Sequence, residues 1–299
     1  MRAFVTGGSG FVGPWLRRHL EDNGDEVIAP GPEVDVTDAA AITKAVVDAA
    51  PTAIYHLAAL ASVGDSWRDP ARTFEVNATG TLHLLEAARA CATPPTVLLI
   101  CSAEVYGVVT PEDLPLTEEA PLRPATPYAA SKVAAEFLGL QSFLSYGLPV
   151  IRVRAFNHIG PGQAGSFVVS DLAQRVAQLA ATGGGKLRVG NTTTRRDFTD
   201  VRDVVRAYRL LVAKGEPGEV YNVCTGQDVS IEHLIERLLD LAGIECEVEP
   251  DPSLIRPVDI PVLRGDPSKL ARATGWQPTI PLEQTLKETL AQYSVSPGR

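Results

Sequence analysis

Tyr128 and Lys132 are one helical turn apart in Thr126-Pro127-Tyr128-Ala129-Ala130-Ser131-Lys132-Val133-Ala134-Ala135-Glu136. Pro127 suits a first helical turn and the alanines after it favour a helix, so the phenol and the ammonium share one face. A phenol near its reference pKa of about 10 is a poor acid or base at neutral pH, and a neighbouring cation favours the phenolate. Tyr128 is then a candidate proton donor or acceptor for a substrate oxygen. A Tyr-x-x-x-Lys spacing also arises by chance, so the rest of the chain must supply the context.

The elements that must position this pair begin at the N-terminus. Arg2-Ala3-Phe4-Val5-Thr6 reads as a buried strand, followed by Gly7-Gly8-Ser9-Gly10-Phe11-Val12-Gly13 and the amphipathic run Trp15 to Leu20. Gly8, Gly10 and Gly13 fit G-x-G-x-x-G, and Gly7, Gly10 and Gly13 fit G-x-x-G-x-x-G. Without Cβ atoms, a pyrophosphate can approach backbone amides at a helix N-terminus. The bland reading is a structural glycine turn. Glu26-Val27-Ile28-Ala29 is the second strand, with a helix expected over Asp38 to Ala49 capped by Asp38 or Thr37. Neither the acid that reads a ribose 2′-hydroxyl nor the arginine that reads a 2′-phosphate follows that strand plainly. Asp35 is a candidate for an adenine or ribose contact, with capping or turn formation as the equal alternative.

Thr52 to Ala59 reads as a strand ending in small residues, and its His56 as a satisfied strand-end histidine. A long helix is expected from Pro70 to Arg89. Its Asn77 is either solvent-facing, as mid-helix asparagines usually are, or an aid to a proton relay. The strand Pro95 to Cys101 delivers Ser102-Ala103-Glu104-Val105-Tyr106-Gly107 to the carboxyl edge of the sheet, where open α/β sheets bind ligands. Ser102 is a candidate to hydrogen-bond a carbonyl beside Tyr128, or an ordinary strand-end cap. The segment from Thr110 to Pro124 is long enough to be a flap. Another strand runs from Pro149 to Arg154. The glycines and proline of Ala155 to Gln163 then break the βα rhythm and open a second lobe.

In that lobe, helices are expected at Val168 to Ala181, Val201 to Val212 and Ile231 to Leu241. Strands are expected at Leu187-Arg188-Val189 and Val220-Tyr221-Asn222-Val223, and two short helices between Asp266 and Tyr293. Arg195, Arg196 and Arg256 are candidate diphosphate ligands, because a guanidinium matches phosphate with two parallel donors; surface ion pairs are their commoner use.

Composition bounds these readings. A 299-residue chain with 45% hydrophobic residues suits one large α/β domain or two unequal lobes. The expected fold is a Rossmann-type doubly wound parallel sheet: residues 1–155 bind the dinucleotide, and residues 156–299 form a smaller, mainly substrate-binding α/β lobe. A net charge of −9 argues against a nucleic-acid face. Met1-Arg2 runs directly into Ala3-Phe4-Val5 and no apolar stretch is long enough to span a bilayer, so a cytoplasmic protein is expected. Cys91, Cys101, Cys224 and Cys246 lack metal-ligand spacing, so no metal site or disulfide frame is expected.

With the glycine loop, Ser102, Tyr128 and Lys132 in this order, the chain resembles the extended short-chain dehydrogenase/reductase superfamily that acts on nucleotide sugars. Arg154 to Gln163, Arg196 to Val204, Tyr221 to Cys224 and Arg256-Pro257 look most like the members that reduce GDP-linked 4-keto-6-deoxy sugars. The resemblance implies that Ser102 polarises the C4 carbonyl, Tyr128 donates the proton, and Lys132 holds the nicotinamide ribose while lowering the Tyr128 pKa. Asn77 would support the relay, and Asn157, Arg196 and Arg256 would contact the sugar or diphosphate. It further implies cofactor contacts at Gly7, Gly10, Phe11, Val12, Gly13, Asp35, Val36, Leu57, Ala58, Ala59, Tyr128 and Lys132.

The reaction so implied is NADPH- or NADH-dependent reduction of GDP-4-dehydro-6-deoxy-D-mannose to GDP-D-rhamnose by a homodimer. The alternative is a 4-epimerase or 4,6-dehydratase that recycles bound NAD(P). Ala103 stands where dTDP-glucose-type dehydratases carry Asp, which argues against that subclass, but Glu104 keeps the acid that GDP-mannose dehydratases use. A non-enzymatic dinucleotide sensor would not need the proton-transfer pair.

Overall fold

The computed structural model describes residues 1–254 and 259–294. Its strands are β1 (Arg2–Thr6), β2 (Glu26–Ile28), β3 (Ala53–His56), β4 (Thr96–Ile100), β5 (Val150–Ala155), β6 (Asn157–Ile159), β7 (Lys186–Val189), β8 (Arg195–Asp200), β9 (Val220–Val223), β10 (Asp228–Ser230), β11 (Glu247–Pro250) and β12 (Val262–Leu263). Its helices are α1 (Val12–Asp22), α2 (Ala39–Ala49), α3 (Val63–Arg68), α4 (Pro70–Phe74), α5 (Gly80–Arg89), α6 (Pro127–Tyr146), α7 (Val168–Thr182), α8 (Val201–Lys214), α9 (Ile231–Ala242), α10 (Ser268–Thr274) and α11 (Leu282–Ala291).

Six parallel strands form the main sheet in the order β2-β1-β3-β4-β5-β9. β3, β5 and β9 are buried along their whole length, the pattern of a parallel sheet covered on both faces. Successive residues divide between the two layers. Ala3, Val5, Tyr55 and Leu98 pack with Leu16 and Leu20 of α1 and Val204, Tyr208 and Leu211 of α8. Phe4, Ile54, Val97 and Leu99 pack on the other face with Ile42 and Val46 of α2 and Leu84 of α5. This alternation is the strand's period of two. β9 comes from beyond residue 156, so the second half of the chain returns to complete the main sheet.

A second sheet runs β10-β8-β12, with β6 also paired to β8, and β7 pairs with β11. Phe198, Leu172, Val176, Leu234 and Leu286 fill a separate core between this layer and α7, α9 and α11. The stretch Arg195 to Asp200, read from sequence only as a charged motif, is the central strand here.

The expected helix from Pro70 to Arg89 is interrupted. Glu75–Thr79 forms one π-helical turn between α4 and α5, and the Thr81 hydroxyl takes the Asn77 carbonyl at 2.6 Å. A hydroxyl inserted into the helical ladder is one of the recognised causes of such a break. The α2 cap is Asp38, which accepts from the amides of Ala40 and Ala41. The segment read as a flap is tied down: Leu116 donates to the Arg264 carbonyl at 2.9 Å, and Glu118 accepts from the Asn222 amide at 2.7 Å. Cys91, Cys101 and Cys224 are buried free thiols and Cys246 is a half-buried one.

Candidate functional site

The carboxyl edge of the main sheet gathers the residues expected to do chemistry. β1 ends at the glycine loop, where Gly10 donates to the Gly7 carbonyl at 3.0 Å and Gly13 to the Gly10 carbonyl at 3.1 Å before α1 begins. Gly7 has φ +68°, and a Cβ there would lie 2.7 Å from the Ala58 nitrogen. A Cβ on Gly13 would lie 2.1 Å from the Gly8 carbonyl oxygen. Glycine is therefore required at both positions by the approach of backbone to backbone. A cavity of about 240 Å³ opens beside the loop, between Gly7-Gly8-Ser9, Pro30 to Pro32, Val34 to Val36 and Ala58. This backbone-lined cradle, at the start of a helix and the end of a strand, fits an adenosine diphosphate moiety.

Asp35 and Val36 line that cavity, as does Arg72. Asp35 accepts from both the amide and the hydroxyl of Thr37, at 2.8 and 2.9 Å, which forms a local turn. These bonds hold its carboxyl below the usual range, with Arg72 at 3.5 Å adding to the effect. Leu57 packs against the core behind the loop, and Ala59 follows Ala58 at the strand end. Phe11 stacks on His158, with ring centres 6.1 Å apart, bridging the glycine loop to the start of the second lobe.

Tyr128 sits in the first turn of α6, whose N-terminus is capped by the Thr126 hydroxyl accepting from Ala129. The phenol is buried, and among its neighbours are Ser102 and Glu104. Burial pushes this phenol above its ordinary pKa; Ser102 opposes the shift, and the nearby Glu104 reinforces it. The expected lowering by Lys132 is not how the protein alone is arranged. Lys132 donates to the Ile100 carbonyl at 2.9 Å, and burial lowers its own pKa. Desolvation outweighs any field the ammonium exerts on the phenol.

Asn77 is buried, contrary to the commoner expectation for a mid-helix asparagine. Its Oδ1 accepts from the Leu60 amide at 2.8 Å, and its Nδ2 donates to the Leu60 carbonyl at 3.1 Å and to Ser131 Oγ at 3.0 Å. The Ser131 hydroxyl in turn donates to the Tyr128 carbonyl at 2.7 Å. Ser131 was not singled out from sequence, though its place three residues after Tyr128 on the same helix was visible. Farther along α6, Glu136 accepts two bonds from Arg154 of β5, at 3.0 and 2.7 Å, locking the helix to the sheet.

Ser102, Glu104, Asn77, Tyr128 and Lys132 are thus assembled at one edge. Asn157 and Arg196 belong to the second lobe. Asn157 is half-buried in β6, in register with Phe198. Arg196 donates to the Arg195 carbonyl at 2.8 Å and lies 3.9 Å from Asp259. Arg256 lies outside the described residues. Among the described residues no group of three or more His, Cys, Asp or Glu is placed to hold a metal ion, and no helix is long and apolar enough to cross a membrane.

Residues 32–289 match the family model for GDP-mannose 4,6 dehydratase. The chain belongs to that family. Its fold and its glycine-loop, Ser102, Tyr128 and Lys132 order are those of an extended short-chain dehydrogenase/reductase. Within the family it is 41% identical to a GDP-6-deoxy-D-mannose reductase of Pseudomonas aeruginosa, over 98% of this chain and 97% of that protein. The structure of RMD from Pseudomonas aeruginosa complexed with NADPH superposes with a TM-score of 0.91 at 40% identity, covering 98% of both chains. A UDP-glucose 4-epimerase from Thermus thermophilus in complex with NAD superposes with a TM-score of 0.87 at 32% identity, covering 99% of this chain and 100% of that one.

Proposed function

We propose that the protein reduces the C4 keto group of GDP-4-dehydro-6-deoxy-D-mannose to give GDP-D-rhamnose, using NADPH or NADH. The observation that carries this reading is the likeness to the reductase over nearly the full length of both chains. When bound, the nicotinamide supplies the hydride, which no side chain can. The chain's own residues do the rest. Gly7, Gly10, Phe11, Val12 and Gly13 cradle the pyrophosphate, while Asp35, Val36, Leu57, Ala58 and Ala59 border the adenosine and its link to the sheet edge. Ser102 donates a hydrogen bond to the substrate carbonyl, and Tyr128 delivers its proton to the same oxygen as the alcohol forms. A phenol whose pKa is raised by burial is kept protonated for that donation. Lys132 binds the nicotinamide ribose, and Asn77 supports the relay.

Residues 1–155 with β9 then form the dinucleotide-binding part, and the second lobe presents Asn157 and Arg196 to the nucleotide sugar. We place the enzyme in the cytoplasm, with the reduced cofactor it consumes. A homodimer through the α4–α5 and α6 faces is supported by exposed apolar side chains: Leu82, Phe137, Leu144 and Tyr146 are 36%, 51%, 71% and 52% exposed. Leu85, on the same helix as Leu82, is fully buried in the core, and Leu138 and Leu140 are half-buried. Sedimentation equilibrium at a mass of one chain would remove the dimer.

A 4,6-dehydratase reading is favoured by Glu104, which stays beside Tyr128 as a second acid or base. One assay separates the two. Purified protein is mixed with GDP-4-keto-6-deoxymannose and NADPH or NADH, and the reduced-nicotinamide absorbance is followed. Stoichiometric loss of that absorbance with formation of the alcohol is expected; product without cofactor consumption excludes the reductase.

A further inference from the structure

His56 ends β3, is 3% exposed, and has a hydroxyl on each ring nitrogen. Thr6 Oγ1 lies 2.8 Å from Nδ1, and Thr81 Oγ1 lies 3.0 Å from Nε2. The directions of these bonds follow from what else the hydroxyls do. Thr81 has a single hydrogen and donates it to the Asn77 carbonyl at 2.6 Å, so towards His56 it accepts. Nε2 therefore carries the ring hydrogen and Nδ1 accepts from Thr6. Thr6 Oγ1 in turn accepts from the Ala58 amide at 3.3 Å. Beyond the Asn77 carbonyl, the Asn77 side chain grips Leu60 and Ser131, and Ser131 grips the Tyr128 carbonyl. Each hydrogen along this thread has one place to go, and each donor is matched by an acceptor.

We infer that His56 is a positioning residue for the reaction: through Thr81 it holds the wide turn at Glu75–Thr79, so that Asn77 and Ser131 set the placement of Tyr128. The thread joins the strand that carries the glycine loop to the helix that carries the proton donor. Thr6, His56, Asn77, Thr81 and Ser131 are buried and the geometry is over-determined, which is how a sparsely used turn such as a π-helical one persists. The inference rests on the reductase reading for its kinetic consequence and on the structure alone for its geometry.

The test uses Thr81→Val, which keeps the shape and removes the hydroxyl, with Thr81→Ser as the conservative partner. His56→Gln, which can accept from Thr6 and donate to Thr81, is paired with His56→Leu. We expect Thr81→Val and His56→Leu to lower kcat by about 10-fold or more, with the Kd for NADPH within about 2-fold of wild type. Thr81→Ser and His56→Gln should recover most of the rate. Amide hydrogen exchange over residues 75–81 should rise in the first pair and not in the second. Wild-type kcat in folded Thr81→Val overturns the inference. Equal loss in Thr81→Val and Thr81→Ser, or loss of NADPH affinity in step with kcat, also overturns it. Hydrogen exchange is measured without substrate, so absence of turnover in the wild type defeats the reductase reading and leaves the thread still tested.

Discussion

Lys132 donates its ammonium to the Ile100 carbonyl at 2.9 Å, which holds the cation against the end of β4, two residues before Ser102. The lysine is one turn from Tyr128 but is engaged by the strand edge. In the proposed reaction its contribution is to the cofactor and to the shape of the edge rather than to the acidity of the phenol. Lys132→Met should lower kcat by about 100-fold and weaken NADPH binding, while the pH at which the rate declines moves little. Steady-state rates across pH, with NADPH titrations by fluorescence, check this. A large upward movement of the alkaline limb would instead show that the ammonium sets the phenol's acidity.

In the proposed reduction Tyr128 donates the proton, so the form expected to be active is the protonated one. Burial raises its folded pKa above the ordinary value of about 10, so the donating form persists through neutral and mildly alkaline pH and is lost only above that ordinary value. The kcat for reduction should be flat between about pH 7 and 9. Tyr128→Phe should lose most turnover with near-normal NADPH affinity. A variant that keeps wild-type rates across this range would remove Tyr128 from the mechanism.

Gly13→Ala places a Cβ 2.1 Å from the Gly8 carbonyl oxygen, a backbone atom that cannot rotate away. The loop must shift, at a cost of about 1 to 3 kcal/mol. The expected result is a lower melting temperature and a loss of NADPH affinity larger than the loss of stability. Unchanged NADPH titration would show that the cofactor does not use this loop.

Arg196→Ala should raise the KM for the GDP-sugar by about 10-fold and leave that for NADPH unchanged. Arg196 lies in β8 of the second lobe, in register with Val229 and Leu263. Equal effects on both constants would withdraw its assignment to the substrate.

His56 also links stability to pH. Burial and the nearby Lys132 charge depress its pKa from 6.5 to about 3, so the folded state holds the ring neutral. A depressed folded pKa contributes stability that is present above pH 6.5 and is lost as the pH falls towards about 3. Across that window the group contributes a slope of about 1.4 kcal/mol per pH unit. Urea unfolding of wild type and His56→Gln between pH 7 and 4 should show a shallower acid loss in the variant; identical slopes would mean the ring is charged when folded.

Much of this architecture was legible in the chain itself. The glycine spacing after a short apolar strand, the runs ending at Ala59 and Cys101, and Tyr128-x-x-x-Lys132 behind a proline each follow from local chemistry. Backbone closeness at Gly13, strand periodicity and helix start signals need only nearby residues to operate. What the tertiary structure decided involves partners far apart in sequence. The burial of the Asn77 side chain depends on Leu60 and Ser131, the anchoring of Leu116 on Arg264, and the use of Arg195 to Asp200 as a central strand on β6, β10 and β12. The acidity of Tyr128 belongs to the same class. Spacing puts an ammonium one turn away, but the sign of the shift comes from how much water the packed sheet edge removes, and that depends on elements the spacing does not record.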